Sequence, residues 1–247
     1  MITGRIFPKA KGLFITGTDT GVGKTLITGA LAHLAVSHGI STGVFKPVAT
    51  GCELVDDLLQ SEDARFLSYC VNGGQTEQEI SPVCYGSPVS PMTAVEQTGT
   101  LIDWASIVSA YRKTVDNHEL VFVEGIGGVM VPFSENDFVL DLMVDLALPV
   151  LVVARASLGT LNQSMLTVKA CQSRGLSVFG ILLNESDDSG SDESRKTNCQ
   201  DLARLAGIVN VSVITFCKGS CVKDKSLGED VLSQLTQIQW IKELIHI

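Results

Sequence analysis

The stretch Leu13–Leu26, LFITGTDTGVGKTL, restricts this chain more than any other. An apolar run (Leu13, Phe14, Ile15) stops at Gly17, and a polar turn with two more glycines follows. Lys24 and Thr25 then open a segment with apolar residues at Leu26, Ile27, Ala30, Leu31 and Leu34. This predicts a strand, a tight loop and a helix. Glycines let the loop turn its N–H groups inward, and the helix adds unpaired N–H groups and the positive end of its dipole. A polyphosphate fits such a cradle, with the lysine for the outer phosphates and the Ser/Thr hydroxyl for Mg²⁺. The strict pattern is G-x-x-x-x-G-K-[ST]. Here Thr18 fills the first glycine slot and Gly17 stands one residue earlier, so this is a variant phosphate-binding loop.

The rest of the chain alternates between strand-like and helix-like segments. Thr42–Phe45 reads as a second strand ending at Lys46-Pro47, which leaves a lysine at the strand's carboxyl end, either solvated or facing the ligand crevice of an open α/β sheet. Ser61-Glu62-Asp63-Ala64 precedes a periodic stretch, so Asp63 is a helix-start acid or a carboxylate near a metal. Residues 72–100, rich in Gly, Pro, Ser and Thr, read as a long loop. A helix is expected over Asp103–His118, then a buried strand that stops at Glu124 before GIGGVMVPF. An acid there is a cap or completes a Mg²⁺ shell.

Asp137–Leu146 reads as a short helix and Pro149–Ala154 as a buried strand. Ser157-Leu158-Gly159-Thr160 opens a long helix, either simply capped or ready for an anion such as a carboxylate. Val178–Leu183 forms a strand ending at Asn184, and the acidic, Ser-rich segment Glu185–Ser194 reads as a mobile loop. A helix near Thr197–Leu205, a strand at Val211–Phe216 and a helix from about Gly228 onward complete the pattern. Alternation throughout predicts one α/β domain over residues 1–247, a doubly wound and mostly parallel sheet flanked by helices, with ligands at the carboxyl ends of its strands.

A formal net charge of −9 argues against a general nucleic-acid or anionic-membrane surface. No apolar run nears the roughly 18 residues that span a bilayer. The opening MITGRIFPKAKG has no signal-peptide core. Seven scattered cysteines without C-x-x-C spacing read as reduced thiols, and the four histidines lack ligand spacing. These features suggest a cytoplasmic protein.

Several motifs, in order, resemble those of the ATP-dependent dethiobiotin synthetases: GTDTGVGKT at Gly17–Thr25, KPVATG at Lys46–Gly51, Asp63-Ala64, PVSP at Pro88–Pro91, EGIGG at Glu124–Gly128, VPF near Pro132, ARASLGTLNQS from Ala154, and LLN ending at Asn184. The match runs from about residue 12 to 185 and fades over the final 60. The resemblance implies a homodimeric P-loop NTPase-like fold. It implies closure of a ureido ring from 7,8-diaminopelargonic acid, CO₂ and ATP, through a carbamate and its mixed anhydride with phosphate.

By that resemblance Lys24 and Lys46 are catalytic, flanking the carbamate and the γ-phosphate, and Thr50 binds the substrate's nitrogen end. Thr25, Asp63 and Glu124 hold Mg²⁺. Thr20, Gly21, Val22, Gly23, Lys24, Thr25 and Leu26 cradle the phosphates. Gly125, Ile126 and Gly127 join Asp63 and Glu124 in lining the nucleotide site, and Asn184 reads the adenine edge. Ser157, Leu158, Gly159, Thr160 and Asn162 receive the substrate carboxylate from the neighbouring subunit.

Three departures stand out: Gly21 where some members carry an acid, Met92 where His often follows PVSP, and no proline near the adenine in VITFCKG, so that Thr215–Lys218 forms a different wall. A rival resemblance is to the partition and septum-site ATPase switches. These carry a signature lysine in KGGVGKT, where this chain has Asp19. An amidotransferase-type cobyrinate synthetase needs a further glutamine-hydrolysing domain, for which 247 residues leave little room.

Overall fold

A computed structural model describes residues 5–185 and 195–245, with side chains omitted at 195 and 196. Most of the acidic segment expected to be mobile, and His246, lie outside the described residues. In chain order the elements begin with β1 (Gly12–Gly17), α1 (Lys24–Ser37), β2 (Thr42–Phe45), β3 (Val48–Thr50), β4 (Glu53–Val55), β5 (Leu58–Gln60) and α2 (Glu62–Cys70). There follow α3 (Glu77–Ile80), β6 (Val83–Tyr85), α4 (Pro91–Thr98), α5 (Trp104–Asn117), β7 (Leu120–Gly128), β8 (Pro132–Ser134), β9 (Asp137–Phe138) and α6 (Val139–Leu146). The last are β10 (Val150–Arg155), α7 (Thr160–Ser173), β11 (Val178–Asn184), α8 (Arg195–Ala206), β12 (Val211–Ile214), α9 (Glu229–Gln237) and α10 (Gln239–Ile245).

Six strands form the central sheet in the order β12-β11-β10-β1-β7-β2, and every neighbouring pair is parallel. Side chains alternate across it because successive residues of a strand face opposite ways. Leu13, Ile15, Phe122, Leu151 and Val153 pack against α1, α2, α9 and α10 on one face. Phe14, Val121, Val123, Val152 and Leu183 pack against α5, α6, α7 and α8 on the other. Strands buried on both faces explain the unbroken apolar runs in the sequence. Each fully buried Phe or Leu contributes about 1.5–3 kcal/mol. Helices α1 and α2 approach closely because position 29 is glycine: a Cβ there would lie 2.5 Å from Phe66 Cε1 and 2.7 Å from Cys70 Sγ.

The doubly wound parallel sheet is as expected, and four local readings change. The 72–100 segment is not a bare loop. Thr76 and Glu79 form a capping box for α3, Ser90 caps α4 with Pro91 at its first turn, and β6 pairs in parallel with β3. Asp137 precedes the helix; it pairs in β9 with Ser134 and accepts two hydrogen bonds from Arg5. Strand β7 runs past Glu124 to Gly128, because Gly128 pairs with Gly17 after an irregularity between Ile15 and Gly17. The final helix breaks at Ile238, whose extended backbone separates α9 from α10.

Candidate active site

Strand β1 lies at the middle of the sheet, and its carboxyl end feeds the loop Thr18–Gly23. In the order just given, the chain moves from β1 outward to β2, back to β7, and then to β10 on the other side. That reversal is where open α/β sheets form a ligand crevice. Thr18 N–H donates to Val153 O at 3.1 Å, and Asp19 Oδ1 accepts from Thr20 N–H at 2.7 Å. Helix α1 starts after Gly23, which has a left-handed backbone (φ 96°) and provides no side-chain cap. The first N–H groups of α1 are therefore uncapped by side chains and available to an anion.

Gly23 is required for a second reason. A Cβ there would fall 2.2 Å from Asn184 Nδ2, which donates to Val22 O at 3.0 Å. The end of β11 is thus fastened to the loop beside β1.

Lys24 opens α1, is buried, and donates to Asp19 O at 3.0 Å. Burial lowers its pKa to about 8, although Glu124 pulls the other way. Thr25 donates to Asp63 Oδ1 at 3.0 Å and to Glu124 Oε1 at 2.8 Å. Asp63 occupies the first turn of α2, whose N-cap Ser61 accepts from Ala64 N–H. It therefore serves the helix dipole and also aims a carboxylate at α1. Glu124 lies opposite Ile15 in the sheet and has no exposure.

Lys46 leaves the end of β2 and bridges both acids: its ammonium donates to Asp63 Oδ2, and to Glu124 Oε1 at 2.7 Å. Burial disfavours its charge, yet Asp63 and then Glu124 outweigh that effect and raise its pKa above the usual lysine value. Burial pushes Glu124 up, whereas at Asp63 the attraction of Lys46 overcomes burial and pulls the pKa down. Removing one member of such a buried pair leaves an uncompensated charge, a cost of roughly 3–5 kcal/mol.

Thr20, Gly21, Gly23, Lys24, Thr25 and Leu26 line a cleft of about 610 Å³ together with Lys46, Thr50, Asp63, Glu124, Ile126 and Gly127. Val22 is buried behind it and contributes the carbonyl held by Asn184. Gly125 packs against Phe14 instead of the cleft: a Cβ there would lie 2.9 Å from the ring. Asn184 lines an adjoining recess of about 200 Å³ with Gly21, Gly23, Glu185, Phe216 and Ser220. Ser157, Leu158, Gly159, Thr160 and Asn162 line neither space. Leu158 is 83% exposed, Asn162 is exposed and Thr160 is buried at the start of α7.

Two features went unread in the sequence. Arg155, at the carboxyl end of β10, donates to Thr20 O at 3.1 Å and braces the loop. Val222 reaches the cleft from a segment whose composition carries no signal. Pro88–Pro91 also form part of the wall, although the PVSP motif at those positions was legible.

The donor set suits a small hard cation. Two carboxylates and one hydroxyl converge, and Glu124 Oε2 is buried with no hydrogen-bond partner among the described residues. Mg²⁺ takes oxygen ligands, commonly one or two carboxylates completed by phosphates and water.

A family model described as an AAA domain matches residues 11–217. An ATP-dependent dethiobiotin synthetase from Thermodesulfovibrio yellowstonii is 34% identical over 228 residues, covering 90% of this chain and 94% of that one. One from Bacillus licheniformis is 39% identical over 199 residues, covering 80% and 83%. One from Anaeromyxobacter dehalogenans is 39% identical over 225 residues, covering 91% and 99%. Among solved structures, a nucleotide-binding protein from Archaeoglobus fulgidus in complex with ADP superposes with a TM-score of 0.51 at 13% identity, covering 89% and 88% of the two chains, which speaks to the fold. No helix among the described residues is long and apolar enough to cross a membrane. With these identities holding over nearly the full length of the relatives, the chain belongs to the ATP-dependent dethiobiotin synthetase family.

Proposed function

We propose that residues 1–247 act as one ligase domain that converts 7,8-diaminopelargonic acid, CO₂ and ATP into dethiobiotin, ADP and phosphate. The observation that carries this reading is the meeting of Lys24, Thr25, Lys46, Asp63 and Glu124 in one cleft at the carboxyl ends of β1, β2 and β7. Two anionic reactants, a carbamate and a triphosphate, have to approach each other. Such chemistry is accelerated mainly by positioning and charge neutralisation.

The uncapped N–H groups of Gly21–Leu26 hold phosphate oxygens, and Lys24 adds positive charge beside them. Lys46, held charged by two carboxylates, neutralises the carbamate and the transferring phosphoryl group. Thr50 takes the substrate's nitrogen end. Thr25, Asp63 and Glu124 hold Mg²⁺, which when bound neutralises charge on the phosphate oxygens. The remaining amide hydrogen and the carbonyl of Asn184 face the base, with Phe216 beside it. The exposed start of α7, from Ser157 to Asn162, takes the substrate carboxylate of the neighbouring subunit's site, which makes the working unit a homodimer. Seven free cysteines accord with a cytoplasmic setting.

Incubation with diaminopelargonic acid, ¹³C-bicarbonate and Mg-ATP should yield labelled dethiobiotin by mass spectrometry. Phosphate release that ignores the diamine would instead support a nucleotide-switch ATPase.

A further inference from the structure

The phosphate-binding loop is gripped from outside by the ends of two neighbouring strands. Arg155 and Asn184 stand opposite each other in the parallel register of β10 and β11. Each takes one carbonyl of the loop: Arg155 Nη2 donates to Thr20 O at 3.1 Å, and Asn184 Nδ2 donates to Val22 O at 3.0 Å. Among the described residues no other group donates to Thr20 O. The guanidinium lies alongside Gly21, where a Cβ would be 3.6 Å from Nη2. Thr20 and Gly21 line the cleft, whereas Arg155 lines neither the cleft nor the adjoining recess, so its grip is on the loop's outer side.

In a planar trans peptide the carbonyl and the following N–H point in opposite directions. Holding Thr20 O outward therefore turns the Gly21 N–H inward, and holding Val22 O does the same for the Gly23 N–H. Two other N–H groups of the loop are already spent, Thr18 on Val153 O and Thr20 on Asp19 Oδ1. The direction of the Gly21 N–H consequently matters to an anion in the cleft. Gly21 does not fix that direction by itself: it stands at φ 72°, and glycine takes either sign of φ at little cost.

We infer that Arg155 is a positioning residue for the nucleotide, which locks the Thr20–Gly21 peptide with its N–H toward the phosphates. A flipped peptide would instead present the Thr20 carbonyl oxygen to them, replacing a donor with a repelling dipole. Arg155 acts through the loop and touches none of the reacting atoms. The lock itself needs only a nucleotide in this cleft, and its effect on turnover rests on the function proposed above.

Calorimetric titration of the full-length protein with ADP and Mg²⁺ tests the lock without turnover. Arg155→Ala, and Arg155→Met, which keeps the stem but has no donor, should each raise the Kd for ADP about 3–10-fold, the worth of one net hydrogen bond. Arg155→Lys can still donate to Thr20 O and should recover most of the affinity. Because Arg155 is exposed, the variants should melt close to the unsubstituted protein. An ADP affinity unchanged in both Ala and Met variants, or a Lys variant as weak as Ala, would overturn the assignment.

Glycine-selective ¹⁵N labelling reads the peptide directly. ADP should shift the Gly21 and Gly23 amides of the unsubstituted protein, whereas Arg155→Ala should lose the Gly21 response and keep that of Gly23. The same Gly21 response in both proteins would overturn the lock, whatever happens to the Kd. In steady-state kinetics Arg155→Ala should raise the KM for ATP more than the KM for the diamine. An unsubstituted protein that binds ADP and makes no dethiobiotin would count against the proposed function and leave the titration to judge Arg155.

Discussion

Helices α1 and α7 begin in the same way and end up in different surroundings. Each is preceded by a glycine in the left-handed region, Gly23 at φ 96° and Gly159 at φ 94°, and neither has a side-chain cap. Locally they are alike in lacking a side-chain cap, although in α7 the Thr160 N–H already donates to Ser157 O at 3.1 Å. Around α1 the fold gathers Lys24, Lys46, Asp63, Glu124 and Asn184 within one chain. Around α7 it leaves Ser157–Asn162 at the surface, with Leu158 83% exposed. The backbone motif thus offers anion binding, and the tertiary surroundings decide whether chemistry accompanies it. One helix start is enclosed, and in the proposed dimer the other is completed by a neighbouring subunit.

The largest expected effect comes from stripping the enclosed end of its charge. Lys46→Ala should lower kcat by about 10²–10³-fold, or about 2.7–4 kcal/mol, the range for losing one preorganised electrostatic donor. Steady-state kinetics that came out near normal would remove Lys46 from the mechanism.

Mixing tests whether the open end belongs to another subunit's site. Lys46→Ala and Asn162→Ala homodimers should each be impaired. Unfolded and refolded together, they should regain turnover, because one site of each mixed dimer receives intact Lys46 and Asn162 from different chains. No recovery in mixed dimers verified by differential tagging would place both groups in the same subunit's site.

A smaller effect separates the glycines themselves. Either Gly→Ala substitution forces a left-handed alanine at roughly 1–2 kcal/mol. A Cβ at Gly159 meets nothing within 4 Å, whereas at Gly23 it meets Asn184 at 2.2 Å. Gly23→Ala should therefore destabilise more in urea denaturation and should also weaken nucleotide binding. Equal losses would mean that the Asn184 contact relaxes freely.

Smallest of all, Leu158→Ala should shift unfolding free energy by less than about 0.5 kcal/mol, as exposed substitutions usually do. In the proposed dimer it should raise the KM for the diamine. A large stability loss with an unchanged KM would turn the α7 start into ordinary packing.

The architecture was legible because each buried strand had to be apolar along its whole length and each helix had to show its own period. Leu13–Ile15, Phe122 and Val150–Val153 announce a parallel sheet without reference to anything distant. The phosphate-binding loop was legible for the same reason, since its glycines and Lys24-Thr25 are contiguous. Reading failed where a partner supplied the structure. Strands β3 and β6 are too short to show a period and exist by pairing with each other, so 72–100 looked like loop. Glu124 looked like a strand end because GIGG suggests a turn, yet pairing with Gly17 carries β7 onward.

From the sequence alone came the sheet, its winding, the loop at Gly17–Thr25 and the family, all consequences of short-range pattern and of motifs in order. The tertiary structure decided that Lys46 lies between Asp63 and Glu124 and that Asn184 reaches Val22 across 162 residues. Those contacts depend on strand order and register. Periodicity says which face a side chain takes but not which distant side chain waits there, because that choice is made by the packing of the whole sheet.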